Sequence, residues 1–277
     1  MTGLLPEGRY ADCANGYRMH YLDQGRRDAE AVVLLHGSGP GASGYSNFKG
    51  NFPALVAAGY RCVIPDLIGY GFSDKPDDVE HPLSLFVECV RQTLDCAGVT
   101  RCTIVGNSLG GAVALGLALD YPQLAEKLVL MAPGGLSELH EYQQMPGMQK
   151  MFAVFGSGEP VTAAVMQDLF ATSLMHDPKF ATDELVAERL QIMQIMNGHV
   201  MATMKVPVLT DRLPELDCPI LAFWGLDEKM MPEGGIMALA RNTRRLRLVL
   251  VSECGHWVMV EHEGMFNRAC LDFIKND

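Results

Sequence analysis

The sequence has no Cys-x-x-Cys pair, no zinc-ligand spacing, no apolar run of about 18 residues and no excess of basic side chains. Each absence removes a class of protein. The eight cysteines, at positions 13, 62, 89, 96, 102, 218, 254 and 270, are scattered, which reads as buried free thiols in a reducing cytoplasm. Without a long apolar run no membrane span is expected, and residues 1–10, which include Pro6 and Glu7, lack the layout of a signal peptide. Lys and Arg total 22 against 33 Asp and Glu, a formal charge of −11, so the net field repels phosphate backbones and anionic membrane surfaces. Neither nucleic acid nor membrane is expected as a partner.

What is present suits one large globular unit. The 277 residues are 48% hydrophobic and 20% charged, enough to build a core without metal or disulfide staples. Short β-branched apolar runs at 17–22, 31–36, 62–65, 102–106, 127–131, 220–224 and 246–251 alternate with helical patterns at 83–97, 108–121, 235–241 and 262–274. That alternation predicts an α/β fold with helices packed on a largely parallel sheet. From 135 to 213 the alternation stops: no good strand is expected there, several helical patterns are, and nine of the 17 methionines (145, 148, 151, 166, 175, 193, 196, 201 and 204) fall within it. The expected organisation is therefore a core of 1–134 and 214–277 with a helical cap inserted at 135–213. Flexible, polarisable Met side chains suit a pocket for an irregular apolar ligand, although filling the cap's own small core is the commoner use of any single Met.

The strongest chemical signal is Gly106-Asn107-Ser108-Leu109-Gly110-Gly111, directly after one predicted strand and directly before a helix. This is the setting of a nucleophile elbow, in which glycines permit the sharp turn that exposes a strained serine above the sheet. A serine hydroxyl is almost never ionised at neutral pH, so Ser108 needs a base, and His256 stands in the loop after the run 246–251. The third member must be a carboxylate that orients the imidazole. Trp224-Gly225-Leu226-Asp227-Glu228 offers two, giving the chain order Ser, acid, His. The loop His36-Gly37-Ser38-Gly39-Pro40-Gly41-Ala42 follows another strand, and the backbone N–H of Ser38, paired with that of Leu109, would supply two donors to a forming oxyanion. Phosphate cradling is discounted, because the loop lacks Gly-x-Gly-x-x-Gly and no Lys-Ser or Lys-Thr follows Gly41.

These residues resemble the alpha/beta hydrolases, and within them the meta-cleavage product hydrolases of aromatic-ring degradation. The likeness covers nearly the whole chain and is most specific at 36–42 with Asn47, at the elbow, and at Cys254-Gly255-His256-Trp257 followed by Glu261-His262 and Phe266-Asn267. It implies a mostly parallel eight-stranded sheet with a helical cap, and hydrolysis of a carbon-carbon bond in a 2-hydroxy-6-oxo-2,4-dienoate without a cofactor or metal. The products would be a 2-hydroxypenta-2,4-dienoate and a carboxylic acid. The resemblance also assigns substrate contacts to Gly39, Asn47, Asn107, Arg189 and Trp257. Arg189 stands out independently, since on a helix over 183–196 it shares a face with Leu185, Met193 and Met196 while Glu184, Glu188 and Gln191 lie elsewhere. A cation inside an apolar stripe calls for an anion, either a substrate or a cap carboxylate. In the family the acid is typically Asp, three residues after the Gly of Trp-Gly. That position is Glu228 here, which spacing favours, with Asp227 the alternative.

The competing enzyme reading is a serine carboxylesterase or thioesterase, and a hydrolase-fold ligand receptor is a further class. Phenyl, alkyl and steroid-derived acyl groups all fit, with the Met-rich cap favouring a bulky apolar one. A homodimer or higher homo-oligomer is compatible with the sequence.

Overall fold

The computed structural model describes residues 7–156 and 158–277, so the reading of a missing signal peptide at 1–10 lies largely outside the described residues. The strands are β1 (Arg9–Asp12), β2 (Arg18–Gln24), β3 (Ala31–Leu35), β4 (Arg61–Pro65), β5 (His81–Pro82), β6 (Cys102–Asn107), β7 (Ala125–Met131), β8 (Met204–Lys205), β9 (Ile220–Gly225) and β10 (Leu246–Val251). Eight of them form one sheet in the order β1-β2-β4-β3-β6-β7-β9-β10, antiparallel only at the β1/β2 and β2/β4 pairings. Strands β4, β6 and β9 are buried along their whole length, which is why they read as unbroken apolar runs rather than alternating ones.

Helices α1 (Gly44–Phe48), α2 (Phe52–Ala57), α3 (Leu83–Ala97) and α4 (Leu109–Asp120) fall between the early strands. Leu83, Phe86, Val87, Val90 and Leu94 give α3 a single buried stripe, and Gly98 ends it in a left-handed cap. Helix α4 is buried from Leu109 through Leu119, as its small, uniformly apolar sequence requires. Between β7 and β9 the chain runs through α5 (Leu139–Gln144), α6 (Pro146–Gly156), α7 (Ala163–Leu169), a π-helical turn (Phe170–Leu174), α8 (Asp183–Met193) and α9 (His199–Thr203). Helices α10 (Gly234–Asn242), α11 (Val258–Glu261) and α12 (Glu263–Asn276) complete the chain.

Three features depart from the sequence expectations. Strand β1 supplies the eighth strand; it is four residues long with one buried side chain, so it carries no periodic signal. Met204–Lys205 is a short strand inside the stretch expected to have none, and it exists only because His81–Pro82 pairs with it from far away in the chain. Glu188, expected off the apolar face of its helix, is buried against the core, where Lys49 Nζ lies 2.8 Å from its Oε1.

Candidate active site

The chemistry-bearing residues collect at the carboxyl ends of the parallel strands, the general location of sites in open α/β sheets. Ser108 follows β6 and precedes α4 with φ 56° and ψ −117°, a conformation that L-residues rarely adopt. Tight neighbours over-determine it: a Cβ at Gly106 would lie 2.4 Å from the Gly110 carbonyl oxygen, and one at Gly110 would lie 2.0 Å from that of Leu35. The two glycines thus let α4 sit directly on β3 and β6. The Ser108 N–H donates to the Met131 carbonyl (3.1 Å), and its own carbonyl accepts from the Gly134 N–H (2.9 Å).

His256 and Glu228 come from the loops after the last two strands of the sheet. His256 Nδ1 lies 2.7 Å from Glu228 Oε2, and both side chains are buried. The other carboxylate oxygen of Glu228 accepts from the N–H groups of Met230 (2.6 Å) and Met231 (3.2 Å), which fixes the carboxylate plane. Asp227 points elsewhere: its side chain is 42% exposed and sits 3.0 Å from His176 Nδ1. Of the two acids left open by the sequence, Glu228 is the one in contact with the imidazole.

The 36–42 loop is fixed by His36, whose Nδ1 lies 2.7 Å from the Gly37 carbonyl and whose Nε2 accepts from the Leu67 N–H at 2.9 Å. An acceptor at Nε2 requires the neutral ring. Complete burial pushes this imidazole down to about 4, against the smaller opposing pull of Asp66. In the unfolded chain the same ring takes a proton near 6.5, so between pH 6.5 and 4 the unfolded state binds more protons and folding stability falls as pH drops. Over that whole window the loss should reach about 3 kcal/mol. Urea unfolding from pH 7 to 4.5 checks it, because the acid slope should shrink in His36→Gln; equal slopes would remove His36 as its source.

Ser108, His256, Ser38, Leu109, Gly39, Asn47, Asn107, Arg189 and Trp257 all line one cavity of about 160 Å³. At one end Arg189 is fully buried, with Nη2 donating to Asn47 Oδ1 (2.6 Å) and Nη1 to the Pro40 carbonyl (3.4 Å). Its guanidinium lies 4.8 Å over the Trp257 ring and 5.8 Å from that of Phe170. Among the described residues it makes no salt bridge, and its Nε has no partner. Burial pulls it down from 12.5 to about 9, so charge there is costly without an anion. The carboxylate next to it in the chain, Glu188, pairs with Lys49 instead. Asn107 Nδ2 donates to the Met131 carbonyl (3.2 Å), and its Oδ1 accepts from Asn47 Nδ2 (3.4 Å), which links both amides to the arginine.

Much of the remaining lining is apolar, with Leu139, Met148, Met151, Phe152 and Met201 beside Tyr142. Of these, the sequence pointed only to the methionines, and only as members of a group of nine. Their signal was the density of methionine, which marks a lining without saying which side chains turn inward.

A strained serine at the carboxyl end of a mostly parallel sheet, sharing one cavity with an imidazole that a carboxylate holds, defines a serine-dependent alpha/beta hydrolase. Residues 30–263 match the alpha/beta hydrolase fold family. Over 271 residues the chain is 35% identical to the 2-hydroxy-6-oxo-6-phenylhexa-2,4-dienoate hydrolase of Burkholderia cepacia, covering 95% of this chain and 93% of that protein. It is 34% identical, with the same coverage, to the 2-hydroxy-6-oxononadienedioate/2-hydroxy-6-oxononatrienedioate hydrolase of Comamonas testosteroni. The solved meta-cleavage product hydrolase from Pseudomonas fluorescens IP01 superposes with a TM-score of 0.83 at 26% identity, covering 96% of this chain and 97% of that one. The chain belongs to the alpha/beta hydrolases and, within them, to the meta-cleavage product hydrolases. Among the described residues no helix is long and apolar enough to cross a membrane.

Proposed function

We propose that this enzyme hydrolyses the carbon-carbon bond of a 2-hydroxy-6-oxo-2,4-dienoate in aromatic degradation, with Ser108, His256 and Glu228 as its triad. The observation that carries the reading is Arg189, a buried cation with no salt-bridge partner among the described residues, opening on the same cavity as Ser108 and His256. A neutral ester would leave that charge unmatched; a dienoate brings a carboxylate to it, with Asn47, Asn107, Gly39 and Trp257 framing the same end.

In this mechanism the enol is first ketonised by proton movement through His256, so that the leaving fragment can depart as a stabilised carbanion. Ser108, or water activated beside it, then adds to the distal ketone, and the N–H groups of Ser38 and Leu109 receive the developing oxyanion at the start of α4. Cleavage passes the bond's electron pair to the dienoate fragment, which takes a proton. Water supplies the hydroxyl of the released acid, and no cofactor enters the balance. The whole of 135–213 acts as a cap that supplies the acyl-side wall. Since Leu139, Tyr142, Met148, Met151, Phe152 and Met201 bring no cation to the cavity, an apolar, bulky acyl group, phenyl-like or larger, is favoured over a chain ending in a second carboxylate. The eight free thiols suit a cytoplasmic enzyme, and we place it there, as a homodimer or higher homo-oligomer.

The test compares kcat/KM for 2-hydroxy-6-oxo-6-phenylhexa-2,4-dienoate, 2-hydroxy-6-oxononadienedioate and p-nitrophenyl acetate. The phenyl substrate should lead the dioate by at least ~10-fold, the cost of an unpaired buried carboxylate. Arg189→Met should lower kcat/KM for the phenyl dienoate about 100- to 1,000-fold, mainly through KM, and leave the ester nearly unchanged. Rapid ester cleavage with the dienoate untouched would instead favour a carboxylesterase and return Arg189 to a structural role.

A further inference from the structure

Glu261 closes α11 five residues after His256, and the proposed chemistry makes no use of it. Its carboxylate is buried, yet among the described residues it forms no salt bridge. Three main-chain N–H groups hold it instead. Gly255 donates to Oε1 (2.7 Å), while His176 (2.7 Å) and Asp177 (3.0 Å) donate to Oε2. Taking a carboxylate out of water is expensive, and three aimed donors are the kind of compensation that offsets that cost.

The donors belong to two different segments. Gly255 immediately precedes His256, whereas His176 and Asp177 follow the π-helical turn of the inserted helical stretch. The two segments are also joined directly, since the His256 N–H donates to the Leu174 carbonyl at 2.8 Å. A third segment closes the ring: the Asp227 N–H donates to the Cys254 carbonyl (2.9 Å), and the Asp227 carboxylate lies 3.0 Å from His176 Nδ1. The imidazole held by Glu228 therefore hangs from a circuit of 174–177, 227–228 and 254–256. Leu174 lines the catalytic cavity and Phe170 packs on Trp257 with ring centres 5.3 Å apart, so the same turn also touches the substrate space.

We propose that Glu261 is a positioning residue, a carboxylate latch that ties the backbone of His256 to the segment 174–177 and so lets the seating of the helical insertion set the reach of the imidazole. The proposal rests on His256 being the catalytic base. Glu261→Gln is the sparing variant, because the amide keeps the size of the side chain while its one carbonyl can accept from only one of the two segments. The folded variant should lose about 30- to 100-fold in kcat for the phenyl dienoate, the scale of a small misplacement of a catalytic group, with KM within about threefold of the parent. The downfield Nδ1 proton resonance of the His256–Glu228 pair should broaden or shift.

A merely structural Glu261 would lower the melting temperature and leave kcat and that resonance unchanged in the folded protein, which would overturn the proposal. His256→Ala separates the premise from the proposal: full activity there would remove the base assignment itself. Native-state hydrogen exchange on the unmodified enzyme gives an independent reading that needs no variant to fold. The amides of Gly255, His176 and Asp177 should exchange at one common slow rate, and independent, faster exchange at 176–177 would equally overturn the latch.

Discussion

Replacing Ser108 with alanine should lower the rate of carboxylic acid release from the phenyl dienoate by about 10,000-fold or more, while the protein stays folded. The kinetic half of this expectation follows from Ser108 serving in either route of the proposed scheme, as the nucleophile or as the group that activates water; the residual rate is what binding and the N–H groups of Ser38 and Leu109 can do alone. The stability half follows from geometry. At φ 56° and ψ −117° an alanine carries the same backbone strain as the serine, so Ser108→Ala neither relieves nor adds to it and should shift the melting temperature little. Ser108→Gly should remove part of that strain and melt higher than Ser108→Ala. The assay must follow the released acid by chromatography and not colour alone, because ketonisation needs only the base and can bleach the conjugated substrate without cleaving it. Acid release within tenfold of the parent would remove Ser108 as the nucleophile.

The parts of this protein that were legible from sequence are those whose physics is local. Ser108 could be found because the elbow needs small residues at fixed offsets between a strand and a helix. The strands β4, β6 and β9, and the buried stretches of β3 and β7, could be found because burial on both faces writes an apolar run. What escaped was set by partners distant in the chain. Strands β5 and β8 are two residues each and exist only as a pair. Glu188 reads as lying off the apolar helix face until Lys49 is brought beneath it, and Glu261 enters only as part of the likeness around His256 until His176 and Asp177 present their N–H groups. Arg189 is the instructive intermediate. Helical periodicity alone put it on the apolar face, but that it meets no carboxylate there is a tertiary fact.

Glu228→Gln should reduce kcat about 1,000- to 10,000-fold, while Asp227→Asn changes it by less than about threefold. The neighbouring positions are chemically alike and their contrast comes entirely from where each side chain is sent. Glu228 carries its carboxylate into the core, with one oxygen 2.7 Å from His256 Nδ1 and the other held by two N–H groups. An amide there cannot balance the imidazolium that forms when His256 takes a proton, and its NH2 group would face a donor on one side or the other. Asp227 is half-exposed against His176, and its N–H bond to the Cys254 carbonyl is main chain; an asparagine keeps that bond and still offers Oδ1 to His176, so removing the charge costs little. Glu228→Asp supplies the sharper version of the experiment. The charge is kept, but the carboxylate retreats by about 1.5 Å, one carbon-carbon bond, so it cannot hold the imidazole and the Met230 and Met231 N–H groups together. Its kcat should therefore fall between those of the parent and Glu228→Gln. A severe loss in Asp227→Asn with Glu228→Gln near the parent would transfer the role to Asp227, and would require the loop after β9 to turn over when substrate binds.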